Sequence, residues 1–168
     1  MEFSDITAFL PILLKGALIT VQITIGALLL STLLGLLLAL MKLSPVRALS
    51  LTAGTFINVV RGLPIIVQLF YIYFVLPELG IQLSAFQASI IGLGVAYSAY
   101  QAENFRAGIE AIEAGQIEAA RSIGMKSKLI MRRVVLPQAI RIALPPYGNT
   151  AVMILKDSSQ PPPSPWPK

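Results

Sequence analysis

The sequence predicts an all-α integral membrane protein, and three observations carry that prediction. Hydrophobic residues make up 55% of the 168 positions and charged residues 12%, about half the ~25% charge of a soluble domain. Charge-free runs recur at lengths that suit a bilayer-crossing helix, which needs about 20 apolar residues. The cations behind the net charge of +5 lie beside those runs, which is the pattern of membrane topology rather than of a nucleic-acid patch. The chain has no cysteine and no histidine. Disulfides, thiol chemistry and imidazole catalysis are therefore excluded, and no metal site is expected.

Residues 1–15 hold Glu2 and Asp5 ahead of Lys15 and lack the basic start of a secretory signal. They read as an external N-terminal segment. Residues 16–41 follow with no charge over 26 positions and form the first predicted crossing. Lys42 and Arg47 place its far end in the cytoplasm, which leaves the N-terminus outside.

The second crossing is predicted at about 53–77 and is interrupted by Arg61-Gly62-Leu63-Pro64. An ionisable group inside a span is costly unless it is paired or lies at the interface. Pro64 removes a backbone donor and bends the helix. Arg61 with Gln68 therefore marks either a site or an interfacial helix end. Pro77-Glu78-Leu79-Gly80 has one acid and no cation and reads as an external turn. A third crossing is predicted at about 83–102, with Glu103 and Arg106 three apart on one helical face beyond it.

Residues 103–137 read as a cytoplasmic loop, since 103–141 hold seven Lys or Arg. Ile109, Ile112, Ile117 and Ala120 fit an amphipathic helix, which Gly115 divides. Gly124 ends the second piece, Ser127 caps a helix from Lys128, and Leu136-Pro137 bends the chain back toward the membrane. A fourth crossing at about 138–156 begins but is barely completed, because only 142–155 are apolar. Residues 160–168 contain five prolines in nine positions and cannot be helical.

No nucleophile–base set and no phosphate-binding glycine loop occurs, so the chain is not read as an enzyme and needs no cofactor. The small side chains Ala119 and Ala120, the charge of Glu118 and the turn at Gly124 make a knob suited to a partner's groove. The alternative is a helix lying at the headgroups with Arg132 and Arg133 toward anionic lipid.

Glu118-Ala119-Ala120, then Gly124, then Leu136-Pro137 are similar to the cytoplasmic "EAA" loop of type I ABC-transporter permeases. Arg61-Gly62-Leu63-Pro64 with Gln68 resembles the R-G-T-P…Q segment of the polar amino acid permeases, with Leu63 in place of Thr. Ala99-Tyr100-Gln101-Ala102-Glu103…Arg106, Ala143-Leu144-Pro145-Pro146…Gly148-Asn149 and Lys156-Asp157-Ser158-Ser159 also match that family's stretches. The resemblance covers roughly residues 10–159. It implies a type I ABC permease domain over 16–159 in a bacterial plasma membrane.

The implied role is the path of an amino-acid importer. Glu118, Ala119, Ala120, Gly124, Leu136 and Pro137 form the implied coupling loop for a separate ATP-binding subunit. Arg61, Gln68 and Glu103 are the implied substrate or gate contacts. The implied partners are that ATP-binding subunit, a second permease subunit, an extracytoplasmic amino-acid-binding protein and the lipid bilayer, with no nucleic acid. The proline tract departs from the family after Ser159 and is expected to reflect a truncated or frameshifted end. A secondary transporter or channel without an ATPase is the competing reading, and a membrane scaffold is a third.

Overall fold

The computed structural model describes residues 3–159, with side chains from residue 9 onward, so the proline tract at 160–168 lies outside the described residues. Six helical stretches follow in order: α1 (Phe3–Lys42), α2 (Arg47–Gly62), α3 (Ile65–Glu78), α4 (Ala85–Glu110), α5 (Ala114–Ser122) and α6. α6 starts as Ser127–Ile130, widens into a π turn at Met131–Val135 and continues as Leu136–Ser158. No strand occurs among the described residues.

The first helix begins earlier than its charge-free run, and residues 3–15 are part of α1. Charge bounds the apolar span, whereas the helix satisfies its own backbone and runs on through Lys15. Residues Phe9–Lys42 are long and apolar enough to cross a membrane. At its far end, Ser50 donates to the Lys42 carbonyl and ties the turn into α2.

The predicted second crossing at 53–77 is two helices, α2 and α3, bent by 100°. Proline disfavours a helical conformation in the residue before it. Leu63 accordingly sits extended at φ −99°, ψ 136°, and Pro64 follows at φ −56°, ψ 135°. The third helix runs past 102 to Glu110. Its added turns carry Arg106 bonded to Glu103 and Glu110, the i,i+3 and i,i+4 spacings that support a helix. Ser84 begins it with a capping box, in which its hydroxyl accepts from the Gln87 amide and the Gln87 side chain accepts from the Ser84 amide.

The fourth predicted crossing is fuller than expected, reaching from Leu136 to Ser158. Leu136-Pro137 does not break it. Proline lacks a donor and its ring crowds the carbonyl four residues back. The π turn absorbs that defect, and Pro77 in α3 sits at the same offset from a π turn at Tyr71–Val75.

α4 lies at the centre, packed against α1, α2, α3 and α6. The α1 contact is close because glycine faces it. A Cβ on Gly35 would lie 2.6 Å from the Gln101 Cβ and 3.0 Å from the Ser98 carbonyl oxygen. Three apolar clusters result. Ile23, Ala27, Leu93, Tyr97 and Ile154 join α1, α4 and α6. Ala39, Ile57, Val60, Ala99 and Ala102 join α1, α2 and α4. Ile112, Ala120, Ile130 and Val135 form a separate small core under α5. The outward faces of α1 and α6 expose Leu13, Leu33, Ile140 and Leu144, as expected of surfaces that meet lipid.

Overpacking a filled interface costs about 1–3 kcal/mol. Gly35→Ala is therefore expected to lower the thermal midpoint in detergent, whereas Gly54→Ala, with open space around it, leaves it within about 0.5 kcal/mol. Monodispersity after graded heating reads both.

Candidate functional site

The polar features gather in two places, the α2–α3 break and the knob around α5. At the break, the Gln68 amide donates to the Val60 and Leu63 carbonyls at 2.8 and 3.0 Å. It satisfies acceptors that the end of α2 leaves orphaned. Arg61 is exposed and lies over the Tyr100 ring, 5.4 Å from its centroid. Tyr100 packs against Tyr97, whose hydroxyl donates to the Asp157 carboxylate at 2.6 Å. Asp157 also borders a pocket of about 160 Å³ lined by Ile65, Ile66 and Leu69. A cation and a carboxylate thus flank a pair of tyrosines where α3 and α6 meet α4.

Sequence reasoning named Arg61 and Gln68 here but passed over Asp157, Tyr97 and Tyr100 as site residues. Asp157 read as the end of a short crossing. In the structure it lies on a continuous helix, next to Ser158, whose hydroxyl hydrogen-bonds that of Thr24 in the middle of α1 at 2.9 Å. An acid just past the apolar run 142–155 was the available signal.

Glu103 is set apart from this cluster. It lies past the charge-free run 79–102 and accepts from Lys42 of α1 at 2.6 Å and from Arg106 at 2.6 Å. Arg106 also pairs with Glu110. Burial pushes the Glu103 carboxyl up, but hydrogen bonds from Arg106 and Lys42 outweigh it and hold the group below the ordinary 4.5. The result is a clamp between the basic ends of α1 and α4.

The knob is built from α5 and the first turns of α6. The predicted division at Gly115 falls instead at 111–113, where the chain leaves α4 and buries Ile112. Gly115 is an ordinary residue in the first turn of α5. Gly124 does end α5, at φ +81°, a conformation that favours glycine. Its amide donates to the Arg121 carbonyl at 2.9 Å, and the Met125 amide donates to the Ala120 carbonyl at 3.1 Å. These two bonds form a Schellman cap, and Met125 packs onto the cluster that holds Ala120. Ser127 does not cap α6, because the helix starts at Ser127 itself, without a side-chain cap.

Glu118 and Ala119 point outward, while Ala120 is 6% exposed and faces the knob's own core. Leu136 and Pro137 lie on α6 beneath the knob. Ile123 was missed. It stands 78% exposed beside Gly124, and an apolar side chain held that far into solvent by a rigid cap is suited to a partner's surface.

A bilayer-length bundle with a charged break inside it and a compact knob at its basic end defines a helical membrane transport subunit. The chain belongs to the family described as binding-protein-dependent transport system inner membrane component, whose model matches residues 31–161. It is 38% identical over 156 residues to a probable amino-acid ABC transporter permease protein of Sinorhizobium fredii, covering 93% of this chain and 68% of that one. It is 36% identical to the L-cystine transport system permease protein of Bacillus subtilis, covering 90% of this chain and 65% of the relative. The arginine transport system permease protein of the same organism is 35% identical, at 95% and 73% coverage. The chain thus spans about two thirds of the length of the first two relatives. Among solved structures, an amino acid ABC transporter crystallised with histidines superposes with a TM-score of 0.88 at 41% identity, over 95% of this chain and 74% of the other. The inward-facing MetNI methionine ABC transporter shares the fold, with a TM-score of 0.74 at 23% identity over 94% and 74% of the two chains.

Two measurements check the clamp and the cap. Glu103→Gln is expected to lower stability by about 1 kcal/mol at pH 7, the scale of a partly exposed ion pair. A depressed carboxyl contributes above its unfolded pKa and loses that contribution as the pH falls through its folded value. The thermal-midpoint gap between wild type and Glu103→Gln should therefore stay constant from about pH 8 to 6 and close below about pH 4. Gly124→Ala forces a side chain into the left-handed region at about 1 kcal/mol. It is expected to raise hydrogen exchange in 114–125 while that of α4 is unchanged.

Proposed function

We infer that this chain is the permease subunit of an ABC importer for polar amino acids, forming the membrane path while a separate subunit hydrolyses ATP. The observation that carries this reading is the capped knob on a family-typical bundle: Glu118, Ala119 and Ile123 stand outward around the rigid Gly124 turn. That surface docks on the ATP-binding subunit, so the knob faces the cytoplasm and the N-terminus lies outside. The basic loop supports this orientation through the positive-inside rule. Leu136 and Pro137 connect the knob to α6, so a push on the knob reaches Asp157 along one helix.

The substrate reading rests on charge. A zwitterionic amino acid needs one group of each sign, and Arg61 and Asp157 supply them around Tyr97 and Tyr100. Relatives named for L-cystine and arginine, and a neighbour crystallised with histidines, support the same substrate class. Gln68 holds the α2–α3 break open beside Arg61, and Glu103 clamps the cytoplasmic ends of α1 and α4 as a gate contact. A second permease subunit completes the path, and an extracytoplasmic binding protein delivers the amino acid.

Uptake and co-purification separate the two halves of this reading. Glu118→Lys and Ile123→Asp are expected to abolish both uptake and co-purification with the ATP-binding subunit. Arg61→Ala and Asp157→Asn are expected to cut uptake about tenfold or more, a loss of about 1.4 kcal/mol, with the subunit still bound. Intact association in Glu118→Lys together with full uptake overturns the coupling role.

A further inference from the structure

We propose that the groove between α1 and α6 holds one acyl chain of an anionic phospholipid, with the phosphate on Arg132 and Arg133. The groove has a volume of about 380 Å³, and Leu36 of α1 and Leu136, Ile140 and Leu144 of α6 form its rims. All four rim residues are exposed. Along α6 it extends from Leu136 to Tyr147, about 17 Å of helix, close to the ~15 Å depth of one leaflet's hydrocarbon.

Three features select a lipid chain over other occupants. The polar atoms at the inner end are already satisfied, since the Thr32 and Tyr147 hydroxyls bond each other at 2.9 Å and Thr32 donates to the Leu28 carbonyl at 2.6 Å. An extended peptide laid there would leave its own backbone unpaired. Apart from Thr32 and Tyr147, every residue lining the groove is apolar, which suits a hydrocarbon chain.

Charge completes the site at the outer end. Arg132, Leu136, Ile140 and Leu144 stand four residues apart in sequence along α6, and Arg132 and Arg133 are exposed. Among the described residues, the ion pairs are those of Lys42, Glu103, Arg106 and Glu110. Neither arginine lines the groove itself; both are exposed on the π turn just before its rim residue Leu136, and no ion pair among the described residues engages them. A phosphate supplies the missing partner, and guanidinium groups bind phosphate in a bidentate fork. The proposal rests on the membrane embedding of the bundle and not on which leaflet the knob faces.

The test reconstitutes the intact chain in vesicles of equal phosphatidylglycerol and phosphatidylcholine, extracts it in mild detergent and counts retained lipid by native mass spectrometry. One phosphatidylglycerol per chain, retained at least threefold over phosphatidylcholine, is expected. Arg132→Gln with Arg133→Gln should erase the preference, and Ile140→Trp, which fills the groove with both arginines intact, should lower total retained lipid. Equal retention of the two lipids, or a preference that survives the arginine double variant, overturns the proposal. The chain lacks cysteine, so Ile140→Cys supplies a unique probe, and a disulfide-linked dimer on mild oxidation would mean a second copy occupies the groove and would also overturn it. Both leaflets carry the same lipids, so these readouts fail or succeed independently of the orientation and of ATP-subunit docking.

Discussion

The close approach of α1 to α4 at Gly35 is the contact on which the rest of the bundle depends. With no Cβ there, the Gln101 side chain and the Ser98 carbonyl lie within about 3 Å of where one would sit. That proximity sets the register of the two longest helices. It brings Lys42 to Glu103 at one end and stacks Leu30 against Gly94 nearer the middle. Once α4 is fixed, α3 and α6 pack on its other faces, and the neighbouring rings of Tyr100 and Tyr97 receive Arg61 and Asp157 respectively. In a bilayer, where lipid tails are as apolar as the side chains, such packing and hydrogen bonding supply the association that the hydrophobic effect gives in water.

Prolines shape the remaining elements, with opposite results. Pro64 follows the extended Leu63 and breaks the chain into two helices at 100°. Pro77 and Pro137 each follow a π turn and leave their helices continuous. The difference matters for transport. The first proline opens a corner where Arg61 lies over Tyr100 and the Gln68 amide takes up two backbone carbonyls. Pro137 keeps α6 whole, so one rigid element runs from the knob to the Asp157 carboxylate.

The sequence was a good guide where the physics is local. Charge-free runs located the helices, because the cost of burying a charge in hydrocarbon is large whatever the neighbours. Gly124 was legible as a terminator because a left-handed residue needs glycine. Boundaries were less legible. Lys15, Glu103 and Arg106 read as helix ends, yet α1 and α4 run through them. A charge ends an apolar span without ending the hydrogen-bond ladder. Gly115 read as a divider, but burial of Ile112 moved the turn to 111–113.

By itself the sequence determined the class of molecule, the rough place of its apolar spans and the turn at Gly124. Composition, charge placement and glycine positions act through short-range energetics that any neighbourhood preserves. Only the tertiary structure decided which charges meet. Arg61 and Asp157 lie 96 positions apart and are linked only through α4, where Arg61 lies over Tyr100, Asp157 accepts from Tyr97 and the two rings pack together. Glu103, near Tyr100 in sequence, turns instead to Lys42. Side-chain partners across a bundle depend on helix rotation and register, and those were set by the close contact at Gly35, which no local pattern announces.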